Sequence, residues 1–291
     1  MYSRFEALGN YDQEKLQNST AAVIGLGATG SVIAEHLARH GVNLILIDRD
    51  YLEMNDLYSS NLYSRDQCEK ALPKAKAAED CLSDLTEVRS MVENIESGNI
   101  DDLEADIILD GTDNMKTRLV IEEYCKKENV PWIYTSALSE RGFSMYVSDV
   151  CFNCMFRELN PTASCQTNGV MREVSSITAS TSALKAIKYL SGLDVSENLE
   201  MLPDKKSFEP IKCSCDNLEI EASSVCGDDK YQVFGDKRPE EFRNNILLEN
   251  EYLKKVEHDG KELTVFNSGR AIVHASSKKD AERIYREASS I

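Results

Sequence analysis

The sequence predicts an α/β fold, a doubly wound and mostly parallel Rossmann-like sheet joined to a small α+β module toward the C-terminus. Three observations carry that reading. The apolar run Ala21-Ala22-Val23-Ile24 leads straight into Gly25-x-Gly27-x-x-Gly30, and Ile33 and Leu37 follow one helical turn apart, so strand, tight turn and helix come in succession. A second run, Leu44-Ile45-Leu46-Ile47, ends on Asp48, eighteen residues after Gly30. Further short apolar runs then alternate with segments of helical period, the pattern of a parallel sheet covered by helices.

The glycine turn needs unusual backbone angles, and bare backbone there lets phosphates approach main-chain N–H groups at the positive end of a helix. An acidic residue about 20 positions further on is placed to accept from a ribose hydroxyl. Gly25, Gly27, Gly30 and Asp48 therefore read as a site for a ligand with a ribose and phosphates. The glycines alone would also suit an ordinary helix-opening turn. Their position between a strand and a helix, with an acid ending the second strand, favours the nucleotide.

Taken in order, Met1 to Asn18 reads as a helical arm whose polarity leaves it on the surface. Asp48 to Ser64 is irregular, polar and too long to be an idle connection, and it leads to a helix over Lys74 to Leu85. Val88 to Val92 is a third strand and Asp106 to Asp110 a buried fourth, which ends in Gly111-Thr112-Asp113-Asn114. A helix from Met115 to Lys127 and strands Trp132 to Thr135 and Phe143 to Val147 follow. Ligands of such sheets lie beyond the carboxyl ends of the strands, where Gly30, Asp48 and Asp113 would meet. Ile177 to Leu190 has helical spacing with Gly192 as its stop, and Ser196 to Cys226 is irregular and bears cysteines. In the tail, a helix near Glu240 to Glu249 precedes three extended runs broken by Asp259-Gly260 and Ser268-Gly269, and a helix from Ser277 to Ala288 ends it. The expected division is residues 1–227 and 228–291.

Composition narrows the function. With 291 residues, 42% of them hydrophobic, the chain can bury one large core and a small satellite. A formal net charge of -17 repels phosphate backbones, so nucleic acid is not an expected partner. No apolar run approaches the ~18 residues of a membrane span, which makes a soluble cytoplasmic protein the expectation. Nine cysteines in a core-rich chain point to metal ligation or thiol chemistry more than to disulfides.

From Tyr2 to about Gly192 the chain resembles the ubiquitin-activating-enzyme-like family in its ThiF/MoeB/HesA branch. The resemblance rests on Tyr2-Ser3-Arg4, the glycine turn, Asp48-x-Asp50, Leu72-Pro73-Lys74-Ala75, Asp110-Gly111-Thr112-Asp113-Asn114 with Thr117-Arg118, Pro131-Trp132-Ile133-Tyr134 and Cys151-x-x-Cys154. It implies adenylation of the C-terminal glycine of a ubiquitin-like or sulfur-carrier β-grasp protein ending in Gly-Gly, with ATP and Mg²⁺. It also implies a homodimer in which Arg4 reaches the triphosphate of the neighbouring subunit. The residues suit that chemistry: a carboxylate attacking an α-phosphate brings two anions together, and the site must supply positive charge and a metal. Lys74 can do the first, and Asp113, helped by Asp50, can hold Mg²⁺. Asp113-Asn114 also reads as a helix N-cap, a use compatible with the other.

Two positions depart from the family pattern. Where Asn-Leu-x-Arg is usual, this chain has Asp56-Leu57-Tyr58-Ser59, which removes a cation and adds a carboxylate. ATP binding should weaken unless Asp56 ligates metal or Arg65 swings in. The cysteines divide by setting. Cys151 and Cys154 form half of a family-like Zn²⁺ site, and Cys213-Ser214-Cys215 is the expected second half, with Cys226 a substitute ligand. The segment is therefore expected to bear zinc. Cys165 matches a stretch where some members carry a cysteine that accepts the acyl group or its sulfur, and it reads equally as an unreactive thiol. Cys68, Cys81 and Cys125 read as fillers.

Other functions compete with this one. The chain could activate a different carboxylate, such as a peptide terminus or an RNA-linked amino acid, the latter disfavoured by the acidic balance, or serve as a non-catalytic subunit beside an active partner, which Asp56 and Ser59 favour and Lys74 and Asp113 oppose. An NAD-dependent oxidoreductase would share the glycine turn and Asp48 but would leave Lys74 and the cysteine pairs unexplained.

Overall fold

A computed structural model describes residues 2–148, 152, 169–209, 230–234, 245–250, 252–266 and 270–289. Two compact units divide the chain, Met1–Val225 and Cys226–Ile291.

The first unit is built on an eight-stranded sheet in the order β3-β2-β1-β4-β5-β6-β7-β8. Its strands are β1 (Thr20–Ile24), β2 (Asn43–Ile47), β3 (Val88–Met91), β4 (Ile107–Asp110), β5 (Trp132–Leu138), β6 (Arg141–Val147), β7 (Leu199–Leu202) and β8 (Lys206–Phe208). From β3 to β5 neighbours run parallel, and from β5 to β8 they run antiparallel. Parallel strands read as continuous apolar runs because both faces are buried. Ala21 and Val23 face one core, with Ile33, Leu37, Ala78 and Ile187. Ala22 and Ile24 face the other, with Ile121, Tyr124 and Trp132. The helices that supply these layers are α3 (Gly30–Arg39), α6 (Lys74–Leu82), α7 (Met115–Glu128) and α8 (Arg172–Leu190); the shorter α1 (Ser3–Glu6) and α2 (Gln13–Asn18) precede them in sequence, and α4 (Asp56–Ser59) and α5 (Arg65–Glu69) lie between α3 and α6. No described helix is long and apolar enough to cross a membrane.

Several expectations change. The arm is two short helices, and it is not wholly superficial: the Asp12 side chain caps α2 by accepting from the Lys15 N–H at 3.1 Å, and Leu16 is fully buried. The polar stretch Asp48 to Ser64 contains α4, and its last residue, Ser64, opens α5 through a capping box with Gln67. The stretch read as irregular from Ser196 holds β7 and β8, too short to show a period, whose pairing against β6 supplies the order that local sequence does not.

The second unit is an antiparallel sheet in the order β10-β11-β12-β13-β9, formed by β9 (Lys230–Phe234), β10 (Asn245–Glu249), β11 (Leu253–His258), β12 (Lys261–Phe266) and β13 (Arg270–His274). Asp259 and Gly260, both at positive φ, turn β11 into β12 as a two-residue hairpin. Helix α9 (Lys278–Ser289) lays Ala281, Ile284, Tyr285 and Ala288 against Leu263, Val265, Ala271 and Val273, the i, i+3, i+4, i+7 face of an amphipathic helix. The helix expected near Glu240 to Glu249 is contradicted where it can be seen, because 245–249 are strand. Leu and Glu favour helix only weakly, and ladder pairing with β11 outweighs that preference.

Candidate nucleotide site

Strand β1 sits between β2 and β4, so connections leave it in opposite directions and open a crevice at the carboxyl ends, the usual ligand position in such sheets. There the Gly25 N–H donates to the Ile47 carbonyl at 2.8 Å, and the Gly111 N–H donates to the Ile24 carbonyl at 2.8 Å. The chain ends pass so closely that side chains are excluded. A Cβ on Gly30 would lie 1.8 Å from the Gly25 carbonyl oxygen, and one on Gly25, at φ +85°, would meet Gly111 at 2.8 Å. A Cβ on Gly27 would meet nothing within 4 Å. Gly25 and Gly30 thus serve close backbone packing, whereas Gly27 borders open space at the start of α3.

Asp48 ties this loop to the next. Its Oδ2 accepts from the Leu26 N–H and its Oδ1 from the Asp50 N–H, each at 2.7 Å. Burial and then the adjacent Asp50 carboxylate raise its pKa to about 6, against the opposing pull of Lys74 and the two N–H donors. Tyr63, which sequence reading passed over, donates its hydroxyl to the Leu26 carbonyl at 2.7 Å. Ser60 reaches the same region from the far side of α4 and donates to Ser31 Oγ at 2.9 Å, while Ser31 donates to the Gly27 carbonyl at 2.7 Å. Nothing in the spacing of Ser60 and Tyr63 announces these contacts, which depend on how the 50–64 segment folds back.

Lys74 begins α6 and its N–H donates to the Asp50 carbonyl at 2.9 Å. Its ammonium lies 3.0 Å from Asp56 Oδ1, with both side chains largely buried. Burial alone would lower the Lys74 pKa, but Asp56, Asp48 and Asp50 together outweigh it and hold the ammonium above its ordinary value. Asp56 is therefore no idle change from Asn: it is the ion-pair partner of Lys74. Arg65 is at 3.9 Å from Glu69 in an exposed i,i+4 pair on α5.

On the β4 side, Asp110 is fully buried and accepts from Arg118 Nε at 2.9 Å and from the Thr112 N–H and hydroxyl at 2.8 and 2.6 Å. Burial raises the Asp110 pKa even so. Arg118 also donates to the Thr112 carbonyl and lies 4.9 Å over the Tyr134 ring, which locks the bend that carries Asp113. Asp113 is exposed on that bend, and Asn114 caps α7 by accepting from the Thr117 N–H at 2.8 Å. The cap is therefore Asn114, and Asp113 remains exposed beside it. An exposed carboxylate just past a strand's carboxyl end suits a Mg²⁺ ion that keeps most of its waters.

Thus Gly25, Gly27, Gly30, Asp48, Asp50 and Lys74 form one connected constellation, with Asp113 on the neighbouring loop. Arg4 is in α1, but its side chain lies outside the described residues. So do Cys151, Cys154, Cys165, Cys213, Cys215 and Cys226. Burial pushes the thiols of Cys68 and Cys125 up, in keeping with a filling role.

The ThiF family profile matches residues 2–226. The sulfur carrier protein ThiS adenylyltransferase of Bacillus subtilis is 29% identical over 318 aligned positions, which cover 95% of each chain. The molybdopterin-synthase adenylyltransferase of Escherichia coli is 30% identical over 66% of this chain and 82% of its own length. Among solved structures, E. coli MccB with ATP superimposes at a TM-score of 0.60 with 20% identity over 69% of this chain and 67% of that one, a likeness of fold.

Proposed function

Because the chain belongs to the ThiF family, we propose that it uses ATP to adenylate the C-terminal glycine of a ubiquitin-like or sulfur-carrier protein of β-grasp fold, with release of pyrophosphate. The carrying observation is the convergence of the glycine turn, Asp48, Lys74 and the Asp113 loop at the carboxyl ends of β1, β2 and β4. The relative named as an adenylyltransferase of the sulfur carrier protein ThiS supports the choice of substrate.

A carboxylate oxygen of the carrier's terminal glycine forms a bond to the α-phosphorus as the bond from that phosphorus to the bridging oxygen of pyrophosphate breaks. Charge accumulates on the phosphoryl oxygens, so catalysis here is positioning and electrostatic stabilisation more than proton transfer. The loop amides at the start of α3 cradle phosphate, Asp48 fixes that loop and faces the ribose, and Lys74 supplies the positive charge. Mg²⁺ held by Asp113, with Asp50 or Asp56 nearby, would neutralise the triphosphate. Arg4 adds a cation from a partner subunit in a homodimer. Cys151, Cys154, Cys213 and Cys215 would hold Zn²⁺, and Cys165 would accept the activated acyl group or its sulfur.

A non-catalytic subunit is the second reading, favoured by the ion pair that occupies Lys74. Intact mass measurement separates the two. Incubation with Mg-ATP and a carrier ending in Gly-Gly should add the mass of one adenylyl group, AMP less one water, to the carrier. An unchanged mass with every carrier, and with peptides ending in other residues, would overturn the proposal.

A further inference from the structure

Around Lys74 the structure gathers Asp48, Asp50 and Asp56, all of which act on its charge, with Arg49 at 3.7 Å from Asp50. These five groups sum formally to one negative charge, and the exposed Asp113 adds another on the next loop. Asp56 has little freedom to withdraw. While one oxygen holds the ammonium at 3.0 Å, the other accepts from the Glu53 N–H at 2.8 Å, which fixes the carboxylate to the turn that opens α4. A Lys74 so held cannot devote its whole charge to an incoming phosphate, and a buried carboxylate left without its partner is costly.

We propose that Asp56 is a positioning residue that sets nucleotide specificity: by clamping Lys74 and leaving the pocket with excess negative charge, it makes the site accept metal-bound ATP and reject the metal-free nucleotide. The inference rests on the reading of this crevice as an ATP site. Metal-free ATP brings about two more negative charges than Mg-ATP, so each carboxylate in the pocket discriminates against it. An Asn at this position would keep the acceptor for the Glu53 N–H and release the ammonium. One unit charge acting on that two-charge difference at about 6 Å corresponds to a discrimination of about tenfold at the dielectric of bulk water, and partly solvated protein can only enlarge it.

Calorimetric titration with ATP in excess Mg²⁺ and with ATP in EDTA, on wild type and Asp56→Asn, tests the proposal without any carrier. Wild type should prefer Mg-ATP by a ratio about tenfold larger than the variant's, with most of the change coming from tighter binding of metal-free ATP to Asp56→Asn. A merely structural role would weaken both forms alike. Equal ratios in the two proteins would overturn the proposal, as would parity between the two nucleotide forms in wild type. Should the variant fail to fold, salt decides: net repulsion predicts that wild-type affinity for ATP in EDTA stays level or rises with ionic strength, and a steep fall would overturn the idea. Wild type and a folded variant that both bind no form of ATP would instead remove the nucleotide reading beneath it.

Discussion

Alanine at Gly30 and at Gly27 should produce opposite phenotypes. At Gly30 the new Cβ would sit 1.8 Å from the Gly25 carbonyl oxygen and 2.8 Å from its carbon, both backbone atoms that cannot rotate away. Relief requires the start of α3 to shift by roughly 1.4 Å from β1, an overpacking strain of about 3 kcal/mol. In a unit of this size that corresponds to a loss of about 6–12 °C in Tm. At Gly27 the Cβ meets no protein atom within 4 Å, so Gly27→Ala should change stability by less than about 0.5 kcal/mol. It should nonetheless weaken Mg-ATP binding at least about tenfold, because the methyl group would occupy space at the helix N-terminus that phosphate needs. Thermal denaturation followed by calorimetric titration with Mg-ATP reads both effects. A Gly27→Ala protein that melts like Gly30→Ala, or that binds Mg-ATP as wild type does, would refute the division of labour within the turn.

Asp48 has a folded pKa near 6 against an ordinary value of 3.8, so the native state holds its proton more tightly than the unfolded chain. Stability should therefore fall as pH rises from about 4 to 6, by on the order of 2–3 kcal/mol from this group, and Asp48→Asn should flatten that part of a denaturant-midpoint profile; an unchanged slope would contradict the assignment. Arg118→Ala leaves the buried Asp110 unpaired and should cost about 3–5 kcal/mol, whereas replacing both partners by apolar residues should recover part of the loss; equal losses would argue against the pair as its cause. Metal analysis should find close to one Zn²⁺ per chain, and Cys151→Ser should release it and lower Tm; undiminished zinc in that variant would refute the ligand set.

The parallel half of the large sheet is legible in the sequence because strands buried on both faces must be apolar throughout, as in Leu44 to Ile47. The Asp259-Gly260 hairpin is legible for a different reason, since its positive φ values favour those residue types. What escapes is whatever depends on pairing with another strand more than on a segment's own pattern. Strands β7 and β8 are too short to show alternation, and β10 has helix-tolerant residues that only β11 turns into a strand. At the site, Gly25, Gly30, Asp48 and Lys74 stand out by motif. The partner of Lys74, eighteen residues before it, does not, and neither does the support that Tyr63 gives to the glycine loop. Both arise from the path of the 50–64 segment, which has no periodicity to read.

Carrier-dependent exchange of labelled pyrophosphate into ATP tests the central claim most directly. Wild type should catalyse it with a β-grasp carrier ending in Gly-Gly, and Lys74→Ala or Asp113→Ala should each lower the rate about 10²–10³-fold, the usual worth of one charged contact at such a site. Exchange that is indifferent to both substitutions, or absent with every carrier, would contradict the account.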